Sequence, residues 1–225
     1  VILCFTLRMW RLLDPLRAED REAFLAVARP RAFARNEVLC HEGDPADSLH
    51  LVDQGHLAVQ GGLATGATAT FTILSPGDYF GELALLRADR RRTATVTALE
   101  PSRTLAIAAT AFDALCTRNP AIERVVSTVL ADRIDLLSRR LLETLYESLD
   151  RRVYRRLLEL GRSYGPQDGT VAIPLSQTQL ADLVGASRPS VNQVLQRLVA
   201  LHVVTLSRSR IEVIDLPALE RRCGD

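Results

Sequence analysis

Between Phe33 and Ile107 the chain is interrupted by a turn signal about every ten residues: Glu42-Gly43-Asp44-Pro45, Gly55, Gly61-Gly62, Gly66 and Pro76-Gly77-Asp78. Glycine and proline at that spacing leave room only for short extended segments between tight turns. The intervening strings, Ser48–Asp53, His56–Gln60, Thr68–Leu74 and Thr93–Leu99, are β-prone. Short strands punctuated in this way predict an antiparallel barrel or sandwich.

Helical texture flanks this region on both sides. Leu12 to Val27 carries apolar residues at helical spacing (Leu16, Phe24, Val27), with an acidic first turn after Ala18, and reads as a short amphipathic helix. After Pro120 the residues Val126, Leu130, Ile134, Leu137, Leu141, Leu145 and Leu149 recur at intervals of three or four. No Gly or Pro occurs from Ala121 to Leu149. A helix of that extent would be about 43 Å long. An apolar seam of such length packs against another helix, and a second copy of the chain is the economical partner.

Asp150 is the expected cap of a further helix, Arg151–Arg162. A loop follows at Tyr164-Gly-Pro-Gln-Asp-Gly169, then a strand at Val171–Pro174. From Ser176 the chain reads as two short helices. Ser176 caps the first, whose inner face is Leu180, Leu183 and Val184, and Gly185 makes the turn. Ser187 caps the second, Pro189 lies in its first turn, and Val191, Leu195 and Leu198 form its inner face. This is the pattern of a helix-turn-helix. Val203–Leu206, Ser207–Arg210 and Ile211–Ile214 read as a two-stranded wing with its turn. The fold class expected is α+β, divided into a β domain at 10–120, a long helix and hinge at 121–149, and a winged helix-turn-helix at 150–225.

The chain has 225 residues and a formal charge of +1, so bulk charge gives no argument for nucleic acid. Its basic side chains other than histidine are all arginine. From Arg151 onward eleven Arg face seven Asp or Glu, a local excess of four. The four cysteines, Cys4, Cys40, Cys116 and Cys223, have neither metal-ligand spacing nor a disulfide framework, and read as reduced thiols. The opening apolar stretch is cut off by Arg8, Arg11 and Asp14, well short of the roughly 20 residues a spanning helix needs. It lacks the flanks of a signal peptide. A cytoplasmic protein without membrane partners is expected.

Two constellations carry chemistry. The first runs Phe80-Gly-Glu-Leu-Ala-Leu-Leu86 and resumes, ten residues after Glu82, as Arg92-Thr-Ala-Thr-Val96. Gly81 lets the backbone approach a ligand closely. Glu82 can accept a sugar hydroxyl, Arg92 offers a planar fork for a phosphodiester, and Thr93 adds a hydroxyl beside it. The second is the helix-turn-helix. There Ser187, Arg188, Ser190 and Gln193 would enter the major groove, Arg188 reading guanine, while Ser176, Gln177, Thr178 and Arg208 or Arg210 would meet phosphates. His41, His50, His56 and His202 show no metal-binding spacing, and neither Gly-X-Ser-X-Gly nor a Gly-Lys-Ser/Thr phosphate loop occurs. No catalytic activity and no metal are expected.

With these residues the chain resembles the cyclic-AMP receptor protein and fumarate–nitrate regulator (Crp/Fnr) superfamily of bacterial transcription factors. Gly81–Ala84 with Arg92-Thr93 is similar to that family's phosphate-binding cassette. Ser176–Leu198, with Val184-Gly-Ala-Ser-Arg188 inside it, is similar to its helix-turn-helix. The resemblance implies a cyclic-nucleotide-binding β-roll, a long dimerisation helix and a winged DNA-binding domain. It implies a homodimer that binds double-stranded promoter DNA, contacts RNA polymerase and takes cyclic AMP or another cyclic nucleotide as effector. On this resemblance the effector residues are Gly81, Glu82, Leu83, Ala84, Arg92 and Thr93, with Arg133 and Ser138 from the long helix. Leu137 stands where the family carries a threonine that contacts adenine. In the recognition helix Arg188 and Ser190 match the family, and Pro189 replaces a base-reading glutamate, which implies a different operator. Cys4 and Cys40 do not form the cysteine cluster of the oxygen-sensing branch. Two alternatives stay open: a regulator of this fold that binds DNA without nucleotide or senses another effector, and a nucleotide-binding module acting through protein contacts.

Overall fold

The first helix begins later than its apolar spacing predicts. In the computed structural model, which describes residues 10–62, 68–165 and 169–224, helix α1 spans Ala18–Ala26 rather than starting near Leu12. Pro15 supplies no N–H and its ring obstructs the preceding turn. Trp10 to Arg17 therefore runs as successive turns, yet Trp10, Leu12, Leu13 and Leu16 are still buried. The opening apolar stretch with Cys4, Gly66, residues 166–168 and the side chain of Val126 lie outside the described residues.

Among the described residues eight strands follow: β1 (Arg29–Phe33), β2 (Val38–Cys40), β3 (Ser48–Gln54), β4 (Leu57–Gly62), β5 (Thr68–Leu74), β6 (Tyr79–Phe80), β7 (Thr95–Ala98) and β8 (Ser102–Ala108). A five-residue helix, α2 (Glu82–Leu86), lies between β6 and β7. The strands form two four-stranded sheets, ordered β1-β8-β3-β6 and β2-β7-β4-β5. The registered pairs within them are antiparallel. Strand β3 is covered on both faces. Leu49 and Leu51 join the core built by Trp10, Phe24, Leu105, Ile107 and Phe112, while Val52 joins Leu57, Val59, Phe80 and Val96 in the other. Trp10 also donates its indole N–H to the Val52 carbonyl at 3.0 Å.

Gly55 turns the chain between β3 and β4 at φ +78°, and a Cβ there would lie 2.3 Å from Ser102 Oγ and 2.8 Å from Pro101 O. Both the left-handed backbone and the close approach exclude a side chain. Gly55→Ala is expected to lower stability by roughly 2–4 kcal/mol, read as a lower midpoint of urea unfolding. An unchanged midpoint would show that the Pro101-Ser102 corner yields freely.

After β8 come α3 (Ala109–Arg118) and the long helix α4 (Pro120–Tyr146). Chain contacts divide the protein into a first unit ending at Asp135 and a second running from Leu136, to which Ala69–Phe71 also belong. The division therefore falls inside α4. The next helix, α5, is Leu149–Tyr164, and Ser148, not Asp150, is its cap. Ser148 has the extended backbone of a cap and its hydroxyl accepts from Arg151 N at 3.4 Å. Asp150 lies in the first helical turn, where a negative charge suits the helix dipole, and pairs with Arg197. Across the break Arg155 of α5 donates to both Glu143 of α4 (2.6 Å) and Glu147 just past its end (2.7 Å).

The rest of the second unit comprises β9 (Val171–Ile173), α6 (Gln177–Val184), α7 (Arg188–Ala200), β10 (Val204–Ser207), β11 (Arg210–Val213) and α8 (Leu216–Gly224). The wing is a three-stranded sheet, β10-β11-β9, rather than a two-stranded one. Val171, Ile173, Val204, Ile211 and Val213 are its buried positions.

Candidate functional site

Strand β6 ends at Phe80, and Gly81 turns the chain into α2 at φ +96°. A Cβ on Gly81 would sit 2.4 Å from Arg92 Nη1 and 2.7 Å from the Ser48 carbonyl. The glycine therefore makes room for the arginine. Residues 90–92 are pinned in turn to the turn before β3. Gly43 N donates to Arg92 O and Arg92 N to Asp44 O, each at 2.8 Å, and Ala46 N donates to Arg90 O at 2.8 Å.

Arg92 is 6% exposed. Its Nη1 donates to the Ser48 carbonyl at 2.7 Å, and Nη2 donates to Asp47 Oδ1 at 2.9 Å and Ser48 Oγ at 3.1 Å. Its Nε–H is buried and has no hydrogen-bond partner among the described residues. A buried cationic donor of this kind costs free energy unless an acceptor meets it. Asp47, at the surface end of the contact, is held below the usual carboxylate range, chiefly by the Ser48 hydroxyl and then by the Arg92 charge.

Glu82 opens α2 and is 2% exposed. Burial pushes its carboxyl above the usual range, and the charges of Arg133 and Arg92 oppose that shift. Arg133 of α4 donates to Glu82 Oε1 at 2.9 Å. The structure thus brings Gly81, Glu82, Arg92 and Arg133 into one unit, around a carboxylate and two guanidinium groups. Leu83 is half-buried and Thr93 exposed, whereas the Ala84 methyl is 2% exposed and packs in the core. Ser138 is exposed and belongs to the second unit. Sequence reasoning assigns no role to Asp47, Ser48 or His50. No local motif marks them, because strand pairing rather than chain proximity carries them to Arg92.

In the helix-turn-helix the caps form as the sequence predicts. Ser176 accepts from Gln179 N at 3.2 Å while its own N–H donates to Gln179 Oε1 at 2.9 Å, a reciprocal capping box. Ser187 caps α7 by accepting from Ser190 N at 3.3 Å, and the two hydroxyls lie 2.8 Å apart. These three serines are therefore committed to their helix ends. Val191, Val194, Leu195 and Leu198 bury the inner face of α7, which leaves Arg188, Pro189 and Gln193 exposed on the outside. Thr178 is exposed and Gln177 half-buried at the start of α6. On the wing Arg208 is exposed, and Arg210 pairs with Glu212 at 2.7 Å.

Along α4 an apolar stripe is uncovered: Ile134, Leu137, Leu141 and Leu145 are 64%, 55%, 60% and 62% exposed, and Leu136, Leu142 and Tyr146 flank them. No helix among the described residues is long and apolar enough to cross a membrane, and none of their His, Cys, Asp and Glu residues form a group able to hold a metal ion.

Known proteins repeat both halves of this arrangement. The cyclic nucleotide-binding domain family matches residues 30–119, and the Crp-like helix-turn-helix domain family matches residues 151–222. The chain is 30% identical to the Cyclic AMP receptor protein of Thermus thermophilus, over 93% of this chain and 94% of that protein. It is 28% identical to the CRP-like cAMP-activated global transcriptional regulator of Mycobacterium tuberculosis, over 86% and 88%. Among solved structures, a transcriptional regulator of the CRP family from Thermus thermophilus superposes with a TM-score of 0.71 at 25% identity, covering 87% of this chain and 97% of that one.

Proposed function

Since this chain belongs to the Crp/Fnr superfamily of transcriptional regulators, we propose that it is a homodimer whose binding to promoter DNA is set by cyclic AMP. The buried Arg92 guanidinium is the observation that carries this reading. Its Nη edge is seated on Ser48 and Asp47, and its buried Nε–H, without a partner among the described residues, would donate to a phosphate oxygen. Gly81 keeps the approach to that guanidinium clear of side chain. The residues present therefore fit a cyclic nucleotide. Arg92 and Thr93 would hold the cyclic phosphate, and Glu82, with Arg133 behind it, the ribose hydroxyl. The backbone of Gly81–Ala84 would close the cradle, and the family pattern adds Ser138 of α4 to the ligand's contacts.

At the other end, Arg188, Pro189 and Gln193 with Ser187 and Ser190 would face the major groove, and Ser176, Gln177 and Thr178 the phosphates. The exposed stripe of α4 would seat a second copy, placing two recognition helices about one duplex turn apart. The division into a sensor at 10–120, a dimer helix at 121–149 and a DNA-binding domain at 150–225 belongs to the same proposal. So does contact with RNA polymerase in the cytoplasm. Effector binding moves the DNA equilibrium only through different affinities for the two states.

A second reading, the same fold answering to another small effector, is favoured by Leu137. That side chain is apolar and 55% exposed where cyclic-AMP-binding members carry threonine. Gel-shift assays with promoter DNA, competitor DNA and graded cyclic AMP separate the readings. Cyclic AMP is expected to tighten specific binding by at least about tenfold, and Arg188→Ala to relax selected operators at one position, at a cost of roughly 1–3 kcal/mol. Shifts indifferent to cyclic AMP would favour the second reading. An unaltered operator selection would remove Arg188 from base recognition.

A further inference from the structure

His50 has no metal-binding or catalytic spacing, yet it is buried at the back of the arginine site. It lies on β3 two residues after Ser48, so both side chains project from one face of the strand. Phe80 is its direct cross-strand partner on β6, and Thr104 lies diagonally across on β8. The His50 ring stacks on Phe80 with centroids 4.7 Å apart and planes 9° from parallel. Its Nδ1 lies 2.9 Å from Thr104 Oγ1 and its Nε2 lies 2.9 Å from Ser48 Oγ.

Counting protons fixes the direction of these bonds. Ser48 has one hydroxyl proton and donates it to Asp47 Oδ1 at 2.7 Å. Its oxygen then accepts from Arg92 Nη2 and must also accept from His50. His50 therefore carries its proton on Nε2, and Nδ1 accepts from the Thr104 hydroxyl. The order is Thr104 to His50 to Ser48 to Asp47, with Arg92 joining at Ser48. Burial, and next the charge of Arg92, push the His50 pKa down to about 4, with Asp47 opposing and Arg31 of β1 adding to the shift. The ring is thus neutral near pH 7, as a one-proton chain requires.

We propose that His50 is a positioning residue for the effector site: through Ser48 it holds the Arg92 guanidinium against β3 with Nε directed to the ligand phosphate. This rests on the reading of Arg92 as the phosphate-binding group. The histidine also packs on the residue that precedes Gly81, so one ring supports both sides of the cradle. A ring that merely filled the core would need neither nitrogen, and this distinction is measurable.

His50→Phe keeps a stacked ring opposite Phe80 and removes both nitrogens. In the full-length protein, calorimetric titration with cyclic AMP is expected to show about tenfold weaker binding, because the Arg92 bond to the Ser48 carbonyl survives. Ser48→Ala is expected to cost about the same, and the double variant little more than either, since both changes cut one chain. Unchanged affinity in His50→Phe, or fully additive losses, would overturn the proposal. A second measurement needs no nucleotide. In the ligand-free protein the Arg92 Nη nitrogens should give separate, slowly exchanging NMR signals that merge in His50→Phe. Signals that stay separate would also overturn it. If the native chain binds no cyclic AMP while the Nη signals merge as expected, the effector assignment fails and the positioning role stands.

Discussion

Arg92→Leu is expected to abolish the heat of cyclic AMP binding, with affinity at least roughly 100-fold lower than in the native chain. A charge-assisted hydrogen bond to the phosphate, together with the attraction of the buried cation, is worth about that much. The variant gives up the cationic fork that approaches Gly81 and supplies no donor in its place. It also leaves the Ser48 carbonyl without the guanidinium bond. A modest fall in thermal stability should therefore accompany the loss, and a melting curve taken in parallel shows whether the fold survives. Arg92→Lys sharpens the test, since it keeps the charge and loses the fork, and is expected to bind with intermediate affinity. A calorimetric titration of Arg92→Leu indistinguishable from the native one would remove Arg92, and with it the cassette, from effector binding.

The second large effect is expected on α4. Leu141 and Leu145 are 60% and 62% exposed in the single chain, so replacing both with Glu leaves the interior of the protomer untouched. In a symmetric dimer the same change removes four leucines from the interface. Burying that many is worth on the order of 6–12 kcal/mol, before the cost of enclosing the added charges. Sedimentation should show a monomer at micromolar protein, and binding to a two-half-site operator should fall with it. A variant that still sediments as a dimer would show that the stripe is not the surface on which two copies meet.

The parts of the fold that the sequence announces are those whose signals are local. Turn glycines delimit β3, β4 and β5, and Ser176 and Ser187 cap their helices through bonds only three residues long. Strand β1 escapes a sequence reading because it is a sheet edge. Arg29, Pro30, Arg31 and Ala32 are all exposed, so no apolar alternation marks it, and Pro30 is tolerated where a central strand would refuse it. The apolar spacing before α1 sets its start too early, since Pro15 outweighs it. The end of α4 carries neither Gly nor Pro to signal it; the chain breaks before Ser148, which caps the next helix. Gly81, Glu82 and Arg92 are legible as a cluster of types. Their partners are not, because Ser48 lies 44 residues from Arg92 and Arg133 lies 51 from Glu82. Such meetings are decided by strand register and helix packing rather than by neighbouring residues.

The Arg155 contact across the α4–α5 break has a mechanical consequence. Both of its bonds spring from one planar guanidinium and end on carboxylates one helical turn apart, Glu143 and Glu147. A turn of α5 about the break therefore acts on both bonds. One arginine thus fastens the start of α5 to the end of α4 at two points, so the two helices can part at the break only if both bonds give way.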